Sequence, residues 1–400
     1  MKFDVFCEIQ RAGPWGDRDE ASLFAEVLDQ ARAADGAGFE IWWQVEHHGS
    51  PEFSYSSAPE VVLTAIAMAT RKLRVGHAGV LAPFRINHPL RVAERAATLD
   101  ILSGGRFELG LAKSGGKEWE TFGVDAEMAR DEVREAMCLI PRMWTQPEFS
   151  FDAAGLTIPL RQLTPRPVQR PHPRLWQTCG SPESFYMAGE LGVGALGTTL
   201  LSPIEALGRM MREHDRGLAN CRQPAGLFVN DQKGAFTFVH VAESRAKAIE
   251  SRAAWSALWY VNAAATTFKV PRRIWYDMIK AGLHPNSARD TAALAALDPH
   301  ETVIQPDDPP VLVTLKRMAR GEEIAAEEAH EVLEELDCVV IGDSEHCRSK
   351  LEGYRRIGID RMMCMMQFGA IPPTAVIRSL ELAGRDLVPH FAEAGLEPAA

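Results

Sequence analysis

The sequence predicts an α/β fold, a (β/α)8 barrel of the TIM type with a long insertion before its last strand. Apolar, β-rich segments alternate from end to end with segments of helical periodicity. Strands that alternate with helices in this way form parallel sheets joined by crossover helices. The number of strands suits a closed barrel better than an open doubly wound sheet, although periodicity alone allows both layouts.

The predicted elements follow one another in the order that a barrel requires. The strands lie near 2–9, 39–47, 73–82, 106–112, 174–180, 193–199, 234–242 and 360–368. The helices lie near 20–34, 58–70, 88–102, 125–144, 182–191, 203–219, 243–262 and 372–389. We therefore expect one barrel domain over residues 1–390, followed by a C-terminal tail over 391–400.

Two stretches break the alternation. Residues 145–173 are rich in proline, which indicates an extended connection over one end of the barrel. Residues 263–335 are longer than a connection between two elements needs, and such loops are usually lids or disordered segments. As a lid, this insertion would keep bulk water out of a site.

Charge and apolar pattern exclude several classes of partner. A formal net charge of −11 argues against binding to nucleic acid or to an anionic membrane, since both need a basic surface. The sequence has no apolar run of about 18 residues that would span a bilayer. Its first residues lack the apolar stretch of a signal peptide. These features predict a cytoplasmic protein.

The cysteine pattern indicates neither a disulfide framework nor a metal site. The seven cysteines are scattered, without a C-x-x-C pair. Zinc clusters and disulfide-stapled folds need closely paired cysteines. We therefore expect reduced thiols, mostly in the core, with Cys347 the best candidate for an exposed position, and no bound metal.

Glu46, His47 and His48 stand at the carboxyl end of the second predicted strand, where the active sites of parallel barrels lie. Alternation along the strand sends His47 to one face and the other two to the opposite face. Adjacent histidines on a strand are poor co-ligands for a metal. His47 is a candidate catalytic residue, although a histidine at such a position is more often structural.

A small polar loop with Lys113 follows the fourth predicted strand. Its glycines allow an anion to approach the backbone, and Lys113 adds a point charge. A flexible connection is the alternative. After the fifth strand, Ser181 and Pro182 mark a helix start, whose amides and dipole favour a phosphate. The alternative is that Ser181 only caps its own helix.

Aromatic residues near the strand ends are candidates to line an apolar substrate pocket, although core packing is the commoner role for each of them. These residues are Trp42, Trp43, Phe84, Trp119, Phe122 and Trp176.

Taken together, these segments resemble the luciferase-like monooxygenase family, which includes bacterial luciferase and the alkanal monooxygenases. The motifs occur in the family's order over most of the chain, with 263–335 as the main gap. The resemblance implies a (β/α)8 barrel with reduced flavin bound at its C-terminal mouth. The similarity is carried by Glu46-His47-His48, Leu99-Asp100-x-x-Ser103-x-Gly105-Arg106 with Gly110, Gly180-Ser181-x-x-Ser184, and Met366-Gln367-Phe368-Gly369-Ala370-Ile371-Pro372.

The resemblance also implies a place for individual residues. His47, the first histidine of its motif, would sit beside the flavin ring and stabilise or protonate the peroxyflavin. Lys113 stands where the light-emitting enzymes have an arginine on the flavin phosphate. Gly180, Ser181 and Ser184 match the positions that complete this phosphate site.

Ala78 and Gly79 match the non-prolyl cis peptide that the family carries beneath the flavin ring. The chain departs from the light-emitting enzymes at two positions. Ala112 replaces a cysteine beside the flavin, and Lys113 replaces an arginine, which gives up two-pronged contact with the phosphate. Together these departures argue against assigning light emission or a specific aldehyde substrate.

The reaction that the resemblance implies has two components. A separate NAD(P)H:flavin reductase delivers reduced FMN, which reacts with O2 to give a flavin C4a-peroxide. One oxygen enters a small organic substrate and the other leaves as water. The first strand–helix turn lacks G-x-G-x-x-G, in keeping with reduction elsewhere. Family members are often dimers, so we expect a homodimer.

Three alternatives stay open at this point. A deazaflavin-dependent oxidoreductase of the same fold moves hydride and needs no oxygen. A non-catalytic flavin-binding partner subunit is the second alternative, against which the retained His47 speaks. The third is an aldolase or isomerase barrel that uses Lys113 to form a Schiff base.

Overall fold

Parallel strands form a closed barrel in the computed structural model, which describes residues 1–13, 19–153, 155–269 and 302–393. Eight strands follow one another around the barrel, and the last of them pairs with the first. The predicted (β/α)8 barrel is therefore confirmed. In order, these strands are β1 (Lys2–Cys7), β2 (Ile41–Gln44), β3 (Arg74–His77), β5 (Phe107–Ala112), β8 (Arg174–Thr178), β9 (Gly194–Thr198), β10 (Lys233–Ala242) and β12 (Arg361–Met365).

Among the described residues, four further strands lie outside this ring. They are β4 (Val80–Leu81), β6 (Phe149–Ala153), β7 (Leu156–Arg161) and β11 (Val340–Asp343). β4 pairs with the end of β5, and β11 pairs in parallel with the second half of β10.

Helices follow the strands, as the periodicity predicts. Several of them carry proline in the first turn, where the missing amide proton costs no hydrogen bond. None of the described helices is long and apolar enough to cross a bilayer. The helices are α1 (Asp19–Ala37), α2 (Pro59–Ala69), α3 (Pro89–Leu102), α4 (Gly116–Phe122), α5 (Ala129–Thr145), α6 (Pro182–Glu190), α7 (Ile204–Ala219), α8 (Arg245–Glu250), α9 (Ala253–Thr267), α10 (Pro310–Ala319), α11 (Ala326–Glu334), α12 (Ser344–Arg356), α13 (Pro373–Asp386) and α14 (Val388–Glu393).

The connection over 145–173 contains a hairpin that the sequence analysis missed. β6 and β7 pair in antiparallel fashion where we expected only an extended connection. Phe149 and Phe151 are buried and Ser150 between them is exposed, which is the period-two pattern of a half-buried strand. The extended connection was predicted from the high proline content of 145–173, and the alternation at Phe149 and Phe151 is too short to indicate a hairpin by itself.

The insertion over 263–335 contributes α10 and α11 before β11. The central part of the predicted lid, 270–301, and the end of the predicted tail, 394–400, lie outside the described residues. Phe391, at the start of that tail, packs against Phe3 with ring centres 5.6 Å apart.

Charged side chains fill the amino-terminal end of the barrel interior. Arg361 donates to the Asp4 carboxylate at 2.7 and 2.8 Å, and the Trp43 indole donates to it at 2.9 Å. Nearby, Glu108 accepts from the Trp176 indole at 2.9 Å and from two arginines. Buried charges are tolerated only when partners compensate them, and each charge here has such a partner.

Three of the six aromatic candidates for a substrate pocket belong to the core instead. Trp42, Trp43 and Trp176 are fully buried, and their indole nitrogens donate to side chains inside the protein. The apolar surfaces of these three side chains are therefore already buried in the core and cannot line a substrate pocket. Phe84, Trp119 and Phe122 are half-buried, so these three stay candidates.

The expectation that Cys347 is exposed was wrong. It lies on α12 facing the barrel, with its Sγ near the carbonyl oxygens of His240 and Gly342. Only Cys138 and Cys221 are partly exposed, and the other five thiols are buried. Burial raises the pKa of the Cys7 thiol to about 12.

Two glycines allow the link between β3 and β4 to lie directly against β5. A Cβ at Gly110 would stand 2.3 Å from the His77 carbonyl oxygen, and one at Gly79 would stand 2.8 Å from the backbone of Gly110. Glycine within a strand often marks such a close approach of two backbones. Both positions therefore require a residue without a side chain.

We expect Gly110→Ala to lower the free energy of unfolding by about 3 kcal/mol, because the methyl group must displace backbone rather than a flexible side chain. Urea denaturation followed by circular dichroism measures this change. Gly36→Ala is the matched control, because nothing lies within 4 Å of its Cβ position, and the same change in a helix stabilises by about 0.5–1 kcal/mol. Equal stability of the two variants would contradict the close contact.

Candidate functional site at the barrel mouth

His47 lies at the carboxyl end of the barrel, between two carboxylates. Its Nδ1 is 3.0 Å from Glu118 Oε1, and its Nε2 is 3.4 Å from Glu8 Oε2. The side chains of His47, Glu118 and Glu8 are 11%, 1% and 3% exposed. Glu8 follows β1, His47 follows β2, and Glu118 lies on α4 after β5. Three separate segments therefore meet at this imidazole.

The two carboxylates favour the protonated form of His47. Burial by itself lowers the pKa of His47, but the charges of Glu118 and Glu8 outweigh burial and raise it to about 9. Burial raises the pKa of Glu8. Burial also opposes the ionisation of Glu118, but the nearby imidazole and three hydrogen bonds lower its pKa below the ordinary value. At neutral pH the main ion pair of the mouth joins His47 to Glu118.

Glu118 accepts three hydrogen bonds. Besides the His47 ring, its Oε1 accepts from the His48 backbone amide at 2.9 Å, and its Oε2 accepts from the Ser114 hydroxyl. A buried carboxylate with both oxygens engaged cannot rotate without losing bonds that water does not replace. It therefore ties the end of β2 to the loop after β5.

His48 points to the opposite side from His47, as alternation along the strand predicts. Its Nε2 is 3.1 Å from Glu46 Oε1, and this contact raises the pKa of His48. Glu46 also accepts from the Leu81 amide at 2.8 Å and from the Asn87 side chain at 2.9 Å. The Glu46 carboxylate therefore connects the end of β2 to β4.

A hydroxyl and two aromatic rings enclose the other sides of the His47 ring. Tyr260 Oη donates to Glu8 Oε1 at 3.1 Å. The ring centres of Phe53 and Phe268 lie 5.2 and 5.7 Å from that of the imidazole. These apolar rings limit the access of water to the charged pair.

Glu8, Glu118 and Tyr260 were not predicted from the sequence as site residues. Alternation was a usable signal for Glu8, since it shares a strand face with Asp4, whose side chain lies inside the barrel. Glu118 and Tyr260 lie on helices, where the rule about strand ends does not apply.

The peptide bond between Ala78 and Gly79 is cis, as the resemblance predicts. It joins β3 to β4 beside the end of β2, since Gln44 pairs with His77. Ala78 is buried. This link therefore lies next to the segment that carries His47.

Lys113 extends from the loop after β5, with its ammonium group 5.0 Å from the centre of the Trp119 ring. Its side chain reaches solvent, yet partial burial and the charge of Arg130 lower its pKa. Among the described residues, no carboxylate forms an ion pair with Lys113 or Arg130. We call these two cations the positive patch, and such a patch suits a phosphate.

Ser181 and Ser184 form a capping box at the start of α6. The Ser181 hydroxyl accepts from the Ser184 amide at 3.3 Å, and the Ser184 hydroxyl accepts from the amides of Gly180 and Ser181 at 3.2 and 3.0 Å. Ser181 therefore does cap its own helix, which was the alternative to a phosphate-binding role. Because Leu111 pairs with Gln177, this helix start follows the strand next to the one that carries the Lys113 loop.

Backbone strain is concentrated at the same end of the barrel. Ile9, Ser114, Leu200 and Leu201 adopt φ values of 53°, 65°, 44° and 73°, which side chains other than glycine rarely allow. These residues follow β1, β5 and β9. Strained residues of this kind cluster at functional sites.

Buried polar groups without a hydrogen-bond partner also lie at the strand ends. Among the described residues they include both side-chain amide atoms of Gln10 and the hydroxyls of Thr178 and Thr198. An unpaired buried polar group costs about 1–3 kcal/mol, which a bound molecule with polar edges would offset. Within the same residues, no three His, Cys, Asp or Glu side chains are grouped to hold a metal ion.

The chain matches the family model of luciferase-like monooxygenases over residues 1–361. A curated relative is the oxygenase component of flavin-dependent trigonelline monooxygenase from Acinetobacter baylyi. It is 28% identical over 214 residues, which cover 53% of this chain and 58% of the relative. The chain thus spans little more than half the length of the curated relatives that it matches.

Solved structures share the fold along nearly the whole chain. The oxygenating constituent of 3,6-diketocamphane monooxygenase from Pseudomonas putida, in complex with FMN, has a TM-score of 0.69 at 16% identity and covers 97% of this chain and 98% of its own. The coenzyme F420-dependent tetrahydromethanopterin reductase from Methanopyrus kandleri has a TM-score of 0.65 at 19% identity and covers 98% and 99%. At these identities the two structures show the fold, whereas the match over residues 1–361 shows that the chain belongs to the luciferase-like monooxygenase family.

Proposed function

We propose that this protein is the oxygenase component of a two-component, FMN-dependent monooxygenase that oxygenates a small organic substrate. The observation that carries the proposal is the buried His47 imidazole, which lies between the Glu118 and Glu8 carboxylates in a barrel mouth that also holds polar groups without a partner among the described residues. Reduced FMN, when bound, supplies the activation of O2. The protein's residues bind the cofactor, exclude water and hold a proton near the reacting atoms.

The phosphate end of FMN would lie over the positive patch. Lys113 and Arg130 supply charge, and the start of α6 supplies the amides and hydroxyls of Gly180, Ser181 and Ser184. The hydroxyls must exchange part of their capping bonds for bonds to phosphate, which the two cations favour.

The ring end of FMN would lie over the strand ends. Ala78 and Gly79 would form its floor. The Thr178 and Thr198 hydroxyls, which have no partner among the described residues, would be available for its polar edge. His47 would stand beside the ring and supply a positive charge and a proton. The structural relative with the same fold was solved in complex with FMN, which supports FMN as a cofactor that this fold can bind.

The partners follow from this chemistry. Reduced FMN must come from a separate NAD(P)H:flavin reductase, and the trigonelline enzyme is itself described as an oxygenase component. We place the protein in the cytoplasm, where NAD(P)H is available to such a reductase. The small organic substrate would bind near the half-buried rings of Phe84, Trp119 and Phe122.

A deazaflavin-dependent oxidoreductase is the second candidate function, because the reductase from Methanopyrus kandleri shares the fold and uses coenzyme F420, a deazaflavin. The curated relatives favour the FMN enzyme, since the trigonelline enzyme is a flavin-dependent monooxygenase. The buried His47 cation suits either reaction, because hydride transfer to a carbonyl also needs a proton. The same cation speaks against a non-catalytic flavin-binding subunit. A Schiff-base role for Lys113 is less suited to a side chain that is exposed to solvent, because a nucleophilic lysine is usually desolvated.

We further propose that two copies of the chain associate through α2. Its outward face is apolar, with Val61 and Met68 exposed to 65% and 70% and Ala65 exposed between them. Residues one and two turns apart form one stripe on a helix. A contiguous apolar stripe of this kind commonly marks a contact with another protein.

The proposed reaction predicts substrate-dependent oxygen uptake that requires both FMN and an NAD(P)H:flavin reductase. We expect His47→Ala to abolish substrate oxidation while the dissociation constant for FMN changes by no more than about twofold. An oxygen electrode, product analysis over a panel of organic compounds and flavin titration measure these effects. Turnover under argon with reduced deazaflavin would favour the second candidate, and absence of affinity for every flavin and deazaflavin would refute both.

The positive patch predicts that Lys113→Ala weakens FMN binding about tenfold, because a charge-assisted contact with phosphate is worth about 1.5 kcal/mol or more. Riboflavin, which lacks the phosphate, should bind equally well to the variant and to the parent protein. Lys117→Ala is the matched control, since Lys117 is already paired with Glu52. An equal loss of affinity for riboflavin would assign Lys113 to the ring rather than to the phosphate.

The apolar stripe predicts that the double variant Val61→Lys and Met68→Lys is monomeric, because two charges would be buried without partners at the contact. Light scattering after gel filtration distinguishes the two states. Leu227→Lys is the control, since Leu227 is exposed to 65% elsewhere on the surface. A monomeric parent protein, or a double variant that stays dimeric, would exclude this interface.

A further inference from the structure

We propose that Glu118 is the positioning residue of the mouth: it fixes the His47 ring through Nδ1 and leaves Nε2 as the ring atom that exchanges a proton with the reacting groups. This inference rests on the proposed function, in which His47 faces cofactor and substrate. Neither the sequence motifs nor the fold assigns a role to Glu118.

The two ring nitrogens of His47 are held unequally. Nδ1 is 3.0 Å from Glu118 Oε1, close to the length of a charge-assisted hydrogen bond. Nε2 is 3.4 Å from Glu8 Oε2, and this oxygen has no hydrogen-bond partner among the described residues. The other oxygen of Glu8 accepts from Tyr260. Nε2 is therefore attracted by charge but is not tied by a hydrogen bond, whereas Nδ1 is tied by both.

Glu118 is itself fixed, which a positioning residue must be. Its Oε1 is shared between the His47 ring and the His48 amide, and its Oε2 accepts from Ser114. Ser114 has a left-handed φ of 65°, so the loop turns sharply to bring this hydroxyl to the carboxylate. The carboxylate can move only if the backbone at His48 or the loop at Ser114 moves with it.

Proton transfer at this site is then confined to one atom. When a proton leaves Nε2, the ring becomes neutral and keeps the proton on Nδ1, because Glu118 accepts its hydrogen bond. The same bond selects the tautomer that presents a lone pair at Nε2 for reprotonation. The charged groups that face His47 are Glu118 on α4, Glu8 just after β1, and Glu46 next to it in the chain. These carboxylates raise the pKa of His47, whereas the imidazoles of His47 and His48 disfavour each other's protonation.

The test follows the His47 imidazole by NMR in full-length protein labelled with 15N-histidine, without any flavin, and His47→Gln assigns its signals. In the parent protein we expect a titration midpoint near pH 9 and, above it, a neutral ring protonated at Nδ1. Glu118→Gln should lower the midpoint by at least about one pH unit, since it removes an opposite charge within hydrogen-bonding distance. Ser114→Ala should shift it in the same direction by less, and Glu120→Gln, on the same helix and paired with Lys269, should leave it unchanged.

A second readout compares the reaction in the same variants. Glu118→Gln should lower kcat about tenfold or more, since misplacement of a reacting group is costly. It should shift the alkaline limb of the pH profile downward and leave the KM for FMN within about twofold. An unchanged midpoint and tautomer in both Glu118→Gln and Ser114→Ala would overturn the inference. Because the NMR titration needs no flavin, failure of the parent protein to bind FMN refutes the proposed function without affecting this result.

Discussion

The pairing of the last barrel strand with the first is the constraint on which the mouth depends. A buried ion pair between Arg361 on β12 and Asp4 on β1 reinforces this closure, and the Trp43 indole of β2 donates to the same carboxylate. Loss of one partner from such a pair commonly costs about 3–5 kcal/mol, because a buried charge is left uncompensated. The pair holds three strands in register at the amino-terminal end. Four residues after Asp4 and just beyond the end of β1, the same register brings Glu8 to the segment of His47.

Charge is arranged differently at the two ends of the barrel. At the amino-terminal end, both oxygens of the Asp4 carboxylate accept hydrogen bonds from Arg361, and the Trp43 indole donates to the same group. At the carboxyl end, strained backbone, unpartnered hydroxyls and an unequally held imidazole lie together. These features cost stability, and the closed, well-packed end offsets that cost. This division agrees with the general rule that parallel barrels place structure at one end and chemistry at the other.

The order and type of the barrel elements were predictable, because periodicity is a local property that survives in a single sequence. The position of His47 and the cis link at Ala78 and Gly79 followed from motifs. Glu118 was not predictable in the same way, since it lies 71 positions from His47 in the chain and reaches it only because α4, after β5, packs against the end of β2. For the three core tryptophans, the structure shows the commoner of the two roles, core packing. The sequence could not separate the two roles, because nearness to a strand end does not tell whether an indole finds an internal acceptor such as Glu108.

Burial of the cysteines has a practical consequence for labelling. Thiol reagents attack the thiolate, and burial raises the pKa of Cys7, Cys179, Cys338, Cys347 and Cys364 while closing off access to them. Maleimide dyes should therefore attach to the native chain only at Cys138 and Cys221, on α5 and just after α7. These two positions offer handles for fluorescence or spin probes without prior removal of the native thiols.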